Sequence, residues 1–247
     1  MSPRVVAIIP ARMGSSRFAG KVLAVHEDRP LLYHVWRCVC RCRTVDRVMI
    51  ATDSAKIATV ATDFGAEVVR TSKRPRTGSD RVAEAIRKRS ASIVINVQAD
   101  CFGLPPKTID RVVDAMTEDQ TIKYATLARR IESDQDLFDP GVVKVVTDRE
   151  GRALWFSRFP LPYLQQAAAG SRNSQFRFRG HIGVYFFRRR ALEDFARWKQ
   201  TLLEKAESLE QLRVLEHGGI MQVFNTSART FSIDTPEDMK KIVKVYK

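Results

Sequence analysis

No apolar run in the 247 residues approaches the roughly 20 needed to cross a bilayer, so no membrane-spanning helix is expected. Acidic residues are scarce: 28 Asp and Glu stand against 42 Lys and Arg, a formal net charge of +14. Such a field attracts anions, but the signatures that aim it at nucleic acid are missing. There is no zinc-finger spacing, no aromatic RNA-binding pattern and no single basic helix. The cations are dispersed instead, for example at Arg37, Arg41, Arg43, Arg74, Arg76, Arg129 and Arg130. Nucleic acid is therefore not the expected partner, whereas a phosphate-rich small substrate suits the charge. Cysteines number only four: Cys38, Cys40, Cys42 and Cys101. The first three lie two residues apart, so on a helix they point in different directions and cannot build a tetrahedral zinc site. Reduced thiols are expected, in keeping with a cytoplasmic protein. The short apolar stretch near the start lacks a small-residue cleavage site and reads as a strand rather than a signal peptide.

Hydrophobic residues make up 44% and charged residues 28%, a globular balance. The first half alternates strand and helix signals. Val5 to Ile9, Val48 to Thr52, Glu67 to Arg70 and Ser92 to Val97 read as buried strands. Helical spacing falls at Leu31 to Cys42, at about 54–64 and at Arg81 to Arg89. Buried strands separated by helices imply a mainly parallel sheet, with ligands beyond the carboxyl ends of its strands. The loops beginning at Pro10, Asp53 and Gln98 are therefore the places to look. Asp53 itself suits either a site or the cap of the helix that follows. In the second half, strands are expected at Tyr124 to Arg130, Val142 to Thr147, Ala153 to Ser157, Gly183 to Phe187, Ile220 to Phe224 and Thr230 to Ile233. Helices are expected at Ala191 to Trp198 and Ser208 to Glu216, with a polar loop near 165–175. Thr235-Pro-Glu-Asp opens a last helix with Pro in its first turn.

The densest chemistry lies in Pro10-Ala-Arg-Met-Gly-Ser-Ser-Arg-Phe-Ala-Gly-Lys21, directly after the first strand. Small residues let backbone amides approach phosphate oxygens; Arg12, Arg17 and Lys21 supply charge, and Ser15 and Ser16 supply hydroxyls. The order is neither that of a Walker loop nor that of a dinucleotide-binding G-x-G-x-x-G.

This loop resembles the P-A-R-x-x-S-x-R-x-P-G-K signature of the 3-deoxy-manno-octulosonate (Kdo) cytidylyltransferase family. Thr77-Gly-Ser-Asp-Arg81, Asn96-Val-Gln-Ala-Asp100, Ala153-Leu-Trp-Phe-Ser-Arg158, His181-Ile-Gly-Val-Tyr185, Leu209-Glu-Gln-Leu-Arg213 and Asp234-Thr-Pro-Glu-Asp238 resemble its further segments, in the family's order. The resemblance implies an α/β fold: a Rossmann-like, mainly parallel sheet with flanking helices and a smaller mixed sub-region. One nucleotidyltransferase domain would fill residues 1–247, with a nucleotide-binding core to about 130, an acceptor-binding and dimerisation region over about 131–233, and a C-terminal helix over 234–247.

It also implies a reaction, CTP plus Kdo or a related acidic sugar giving the CMP-sugar and pyrophosphate. Arg12, Ser16, Arg17 and Lys21 would bind the triphosphate, and Thr77, Gly78, Ser79 and Arg81 the rest of the nucleotide. Asp100 and Asp234 would hold Mg²⁺, which prefers oxygen ligands, and with Lys21 would form the catalytic set. On spacing alone Asp234 also reads as the cap of the last helix. Gln98, Ser157, Arg158, His181, Tyr185, Glu210 and Gln211 would read the sugar, with Glu210 on the helix expected there and Arg158 facing a carboxylate. A cytoplasmic homodimer feeding lipopolysaccharide assembly is the implied setting.

The departures from the family pattern that bear on the site are Ala19 for Pro, Ala99 for Gly, Cys101 for Glu and Phe102 for Pro. Ala99 requires an ordinary backbone geometry or a local shift. These changes point to an altered acceptor, such as amino-Kdo or a nonulosonate, or to weakened activity. A nucleotide-binding paralogue without catalysis stays open on the same grounds.

Overall fold

The computed structural model describes residues 5–14, 18, 20–165, 172–228, 230–233 and 238–239. Strand β1 (Val5–Ala11) leads through a 3-10 turn (Lys21–Leu23) and a small hairpin, β2 (Val25–His26) and β3 (Arg29–Pro30), into helix α1 (Leu31–Val39). Then follow β4 (Arg47–Thr52), α2 (Ala55–Asp63), β5 (Glu67–Arg70), α3 (Gly78–Ile86) and β6 (Ile93–Val97). Next come β7 (Cys101–Phe102), α4 (Pro106–Glu118), β8 (Tyr124–Arg130), α5 (Asp134–Phe138), β9 (Lys144–Thr147) and β10 (Ala153–Ser157). The remainder is α6 (Arg172–Gln175), β11 (Arg179–Arg188), α7 (Arg189–Arg197), α8 (Leu202–Glu207), α9 (Leu212–Glu216), β12 (Met221–Thr226) and β13 (Phe231–Ser232).

Nine of these strands form one sheet. Its parallel half runs β5-β4-β1-β6. Apolar residues on both faces of β1 explain why helices cover both sides. Val5, Ala7 and Ile9 pack with Leu31, Leu32 and Val35 of α1 and with Ile109 and Val112 of α4. Val6 and Ile8 point the other way, into Val82 and Ile86 of α3 and Leu192 and Phe195 of α7. Each fully buried Val, Leu, Ile or Phe side chain among these contributes about 1.5–3 kcal/mol by leaving water.

Strand β11 is antiparallel to β6, pairing Val184 with Val97, so its first residues overhang the carboxyl end of β6. A register shift between Ile182 and Tyr185 lets the same strand pair with β8 on its other side. Through β11 the parallel core is joined to β8, β9, β10 and β12.

Several elements differ from the sequence expectation. The helix expected over Ser208 to Glu216 is realised only as the short α9, and α8, which ends just before that range, has no counterpart in the sequence expectation. Ser208 sits at φ 52°, ψ 47°, a left-handed conformation that stops α8, so Glu210 lies in the turn before α9 rather than on a helix. Helix α4 has no counterpart in the sequence reading, although Pro106 in its first turn and buried Ile109, Val112, Val113 and Met116 give it helical spacing. The expected loop near 165–175 ends in the short helix α6, and its residues 166–171 lie outside the described residues. Helix α3 begins three residues before Arg81, because Thr77 and Asp80 form a reciprocal capping box. Ser54, not Asp53, caps α2, accepting from the Ile57 N–H at 3.3 Å. No described helix is long and apolar enough to cross a membrane.

Candidate active site

Beyond the carboxyl ends of β1 and β6 lies a cleft of about 1770 Å³, continuous with a recess of about 300 Å³. Arg12, Arg76, Thr77, Gly78, Gln98 and Asp100 line both. The recess adds Gly14 and Lys21 from the loop after β1 and Arg81 from α3. The cleft adds Arg158, His181, Tyr185, Glu210 and Gln211. Thus residues spread over most of the chain converge because β8 and β11 both extend past the end of β6.

At the recess the Lys21 ammonium donates to Asp100 Oδ2 at 2.5 Å. A cation held against a carboxylate at a strand end is positioned for phosphate chemistry. Arg12 is exposed at the same mouth. Ser16, Arg17 and Asp234 lie outside the described residues.

The first turn of α3 forms one wall. Thr77 Oγ1 accepts from the Asp80 N–H at 3.2 Å, and the Ser79 N–H donates to Glu210 Oε2 at 3.0 Å. Burial raises the pKa of Glu210, opposed by donors from the Ser79 N–H and from the Thr77 and Ser79 hydroxyls. Ser79 itself is fully buried beneath the wall. Arg81 is also buried; it donates to Thr71 Oγ1 at 2.5 Å and lies 3.3 Å from Asp53.

On the opposite side Arg158 is held by carbonyls. Its guanidinium donates to Glu207 O at 2.8 Å and Pro140 O at 2.9 Å. Ser157 is buried and donates to a Glu207 carboxylate oxygen at 2.6 Å. His181 Nε2 lies 2.9 Å from Thr126 Oγ1, and desolvation lowers its pKa to about 3, so the ring is neutral. The Tyr185 hydroxyl donates to Gln211 Oε1 at 3.0 Å. Gln211 Nε2 is buried without a hydrogen-bond partner among the described residues, the kind of donor that a ligand oxygen would satisfy. Arg129, Arg130, Arg177 and Arg179 also line the cleft; the sequence offered the first two only as dispersed surface cations and did not mark the other two. Their only signal there is position, at the end of β8 and the start of β11.

The cytidylyltransferase family matches residues 6–242. The chain belongs to the cytidylyltransferase family. It is 40% identical to a 3-deoxy-manno-octulosonate cytidylyltransferase of Geobacter sulfurreducens, over 98% of this chain and 99% of that one. A protein of the same name from Geobacter metallireducens is 42% identical over 98% and 97%. The solved structure of CMP:2-keto-3-deoxy-manno-octonic acid synthetase complexed with CTP superimposes with a TM-score of 0.89, at 32% identity and 98% coverage of both chains. A nucleotidyltransferase of this family therefore carries the cleft described above.

Of the departures from the family pattern, Ala19 lies outside the described residues and those at 99, 101 and 102 are absorbed locally. Ala99 is buried and is not among the described residues with positive φ, so the ordinary backbone geometry is the one realised. Phe102 packs into the core beside Leu104 and Ile109. Strand β7 pairs with β13, Phe231 opposite Phe102 and Ser232 opposite Cys101, where an apolar pair of residues suits the strand better than Glu-Pro. Burial, with neighbouring Asp100, pushes the Cys101 thiol up, so it stays protonated and is no nucleophile.

Among the described residues no cluster of three His, Cys, Asp or Glu could cage a metal ion. Asp100 nonetheless fits Mg²⁺, which keeps several waters and needs only one or two carboxylates beside substrate phosphates. Its carboxyl group is partly exposed where the recess opens.

Proposed function

We propose that the enzyme joins CTP to 3-deoxy-manno-octulosonate, giving CMP-Kdo and pyrophosphate. The observation that carries this reading is the near-full-length likeness to proteins of that name and to a synthetase complexed with CTP. The triphosphate lies in the recess, where Arg12 and Lys21 neutralise it with Arg17 and Ser16 of the same stretch of sequence, which lie outside the described residues, and the first turn of α3 (Thr77 and Gly78, backed by buried Ser79 and Arg81) holds the rest of the nucleotide. The sugar occupies the wider cleft among Gln98, Ser157, Arg158, His181, Tyr185, Glu210 and Gln211. Its hydroxyl oxygen forms a bond to the α-phosphorus, the bond to the β-phosphate oxygen breaks, and the hydroxyl proton is released. Lys21 stabilises charge on the departing pyrophosphate. Asp100 and Asp234 would hold Mg²⁺, which when bound supplies further positive charge against the phosphates.

Residues 1–247 form one catalytic domain in this reading, with the nucleotide core reaching about residue 130 and the acceptor region about 131–233; apart from 238–239, the helix expected over 234–247 lies outside the described residues. The setting is the cytoplasm, in lipopolysaccharide synthesis, and the working unit is a homodimer. Supporting the last point, Leu154, Phe159 and Tyr163 are 60%, 74% and 84% exposed on and just after the edge strand β10. The test of function is pyrophosphate release with CTP, Mg²⁺ and Kdo, compared with other nucleotides and other acidic sugars. Turnover confined to another sugar would overturn the acceptor, and silence with CTP binding intact would overturn the enzyme reading.

A further inference from the structure

A hydrogen-bonded chain runs beneath the cleft floor and ends at Gln98. The Glu210 carboxylate receives the Ser79 backbone N–H at 3.0 Å and the Ser79 hydroxyl. The Asn96 amide nitrogen can only donate, so Ser79 Oγ is the acceptor between the two elements. Asn96, fully buried near the carboxyl end of β6, donates from Nδ2 to that oxygen at 3.0 Å. Its Oδ1 must then face the other way, where Gln98 Nε2 donates to it at 3.4 Å. Every amide in the chain has its orientation set by the one before it, and Gln98 Oε1 is the acceptor left at the end.

Two glycines shape the slot in which this amide lies. A Cβ on Gly78 would stand 2.7 Å from Gln98 Nε2, and one on Gly183 would stand 3.3 Å from Gln98 Cγ. Gly183 falls at the register shift of β11, so the bulge brings bare backbone against Gln98. Gln98 lines both the recess and the cleft, which places it at their junction.

We propose that Asn96 is a positioning residue which, with Gly183, presents Gln98 Oε1 as a hydrogen-bond acceptor to the acceptor sugar's hydroxyl. This rests on the reaction proposed above, in which that hydroxyl attacks at the junction. Asn96 touches no substrate and acts only through Gln98.

The experiment is a double-mutant cycle read as kcat/KM for Kdo at saturating CTP, with CTP affinity measured separately by calorimetry. Gln98→Ala should lower kcat/KM about 100-fold, and Asn96→Ala about tenfold. The Asn96→Ala/Gln98→Ala double variant should be no worse than Gln98→Ala alone, because the shared interaction is already lost. CTP affinity should stay within about twofold in Asn96→Ala, a split that general loosening of the core would not produce. Should Asn96→Ala fail to fold, Gly183→Ala serves in its place, with the same signature and the same non-additivity with Gln98→Ala. Penalties that multiply to about 1000-fold would overturn the relay while leaving the reaction standing. Wild-type protein silent with CTP and Kdo would overturn the reaction itself, and the relay with it.

Discussion

Asp100 and Lys21 illustrate how much a single contact carries at the residue scale. The 2.5 Å pair sets an ammonium and a carboxylate side by side at the recess. Asp100→Asn keeps the size and removes the charge, and is expected to lower turnover by about 10²–10³-fold in pyrophosphate release. Normal turnover in that variant would remove Asp100 from the metal site. His181 makes a second residue-scale prediction. Folded, its ring stays neutral down to about pH 3, whereas in the unfolded chain it takes up a proton below its ordinary value of 6.5. The unfolded state therefore binds more protons between about pH 3 and 6.5, and stability is lost as pH falls through that window. His181→Gln should abolish one proton of uptake on unfolding there, measured by denaturant melts across pH. An unchanged slope would show that the ring is not held neutral. These residues were legible beforehand because each lies in a short motif. Glu207, which holds both Ser157 and Arg158, was not, since nothing near position 207 in the chain announces a partner 50 residues away.

At the scale of elements, α3, α8 and α9 are locked by one buried cation. Arg213 donates to Glu204 at 2.6 and 2.8 Å and to Asp80 at 2.8 Å, and lies 4.1 Å over the Phe195 ring. Asp80 is also half of the capping box that fixes the first turn of α3, so the network braces the wall of the nucleotide recess. Arg213→Ala strands Glu204 as an unpaired buried acid and should destabilise the fold by about 3–5 kcal/mol. Urea unfolding monitored by circular dichroism measures it, and a loss below about 1 kcal/mol would place the pair among surface-like bridges. Strands β1, β4, β6 and β8 were readable as apolar runs, because burial on both faces removes the alternation that half-exposed strands show, whereas β5 at the sheet edge is only half-buried. The break at Ser208 was not, since a left-handed serine depends on the packing around it rather than on its own preference.

For the whole molecule, Leu154, Phe159 and Tyr163 on and after β10 are among the most exposed large apolar side chains of the described residues. If they meet in a homodimer, the protein should sediment at twice 28.1 kDa, and Phe159→Asp should halve that mass. A wild-type monomer would refute the dimer. The net charge of +14 acts at the same scale, drawing a polyanionic nucleotide toward a cleft lined by several arginines.

By itself the sequence determined the parallel α/β core, the position of the phosphate loop after its first strand, and membership in a motif-bearing family. Those features are local: apolar periodicity and short runs of functional residues are written in neighbouring positions. Tertiary structure alone decided which motifs meet. The antiparallel course of β11 carries His181 and Gly183 past the end of β6, and the turn before α9 turns Glu210 into the N-terminus of α3. Strand order, overhang and the direction of a buried amide depend on contacts between segments a hundred residues apart, and no stretch of chain records them singly.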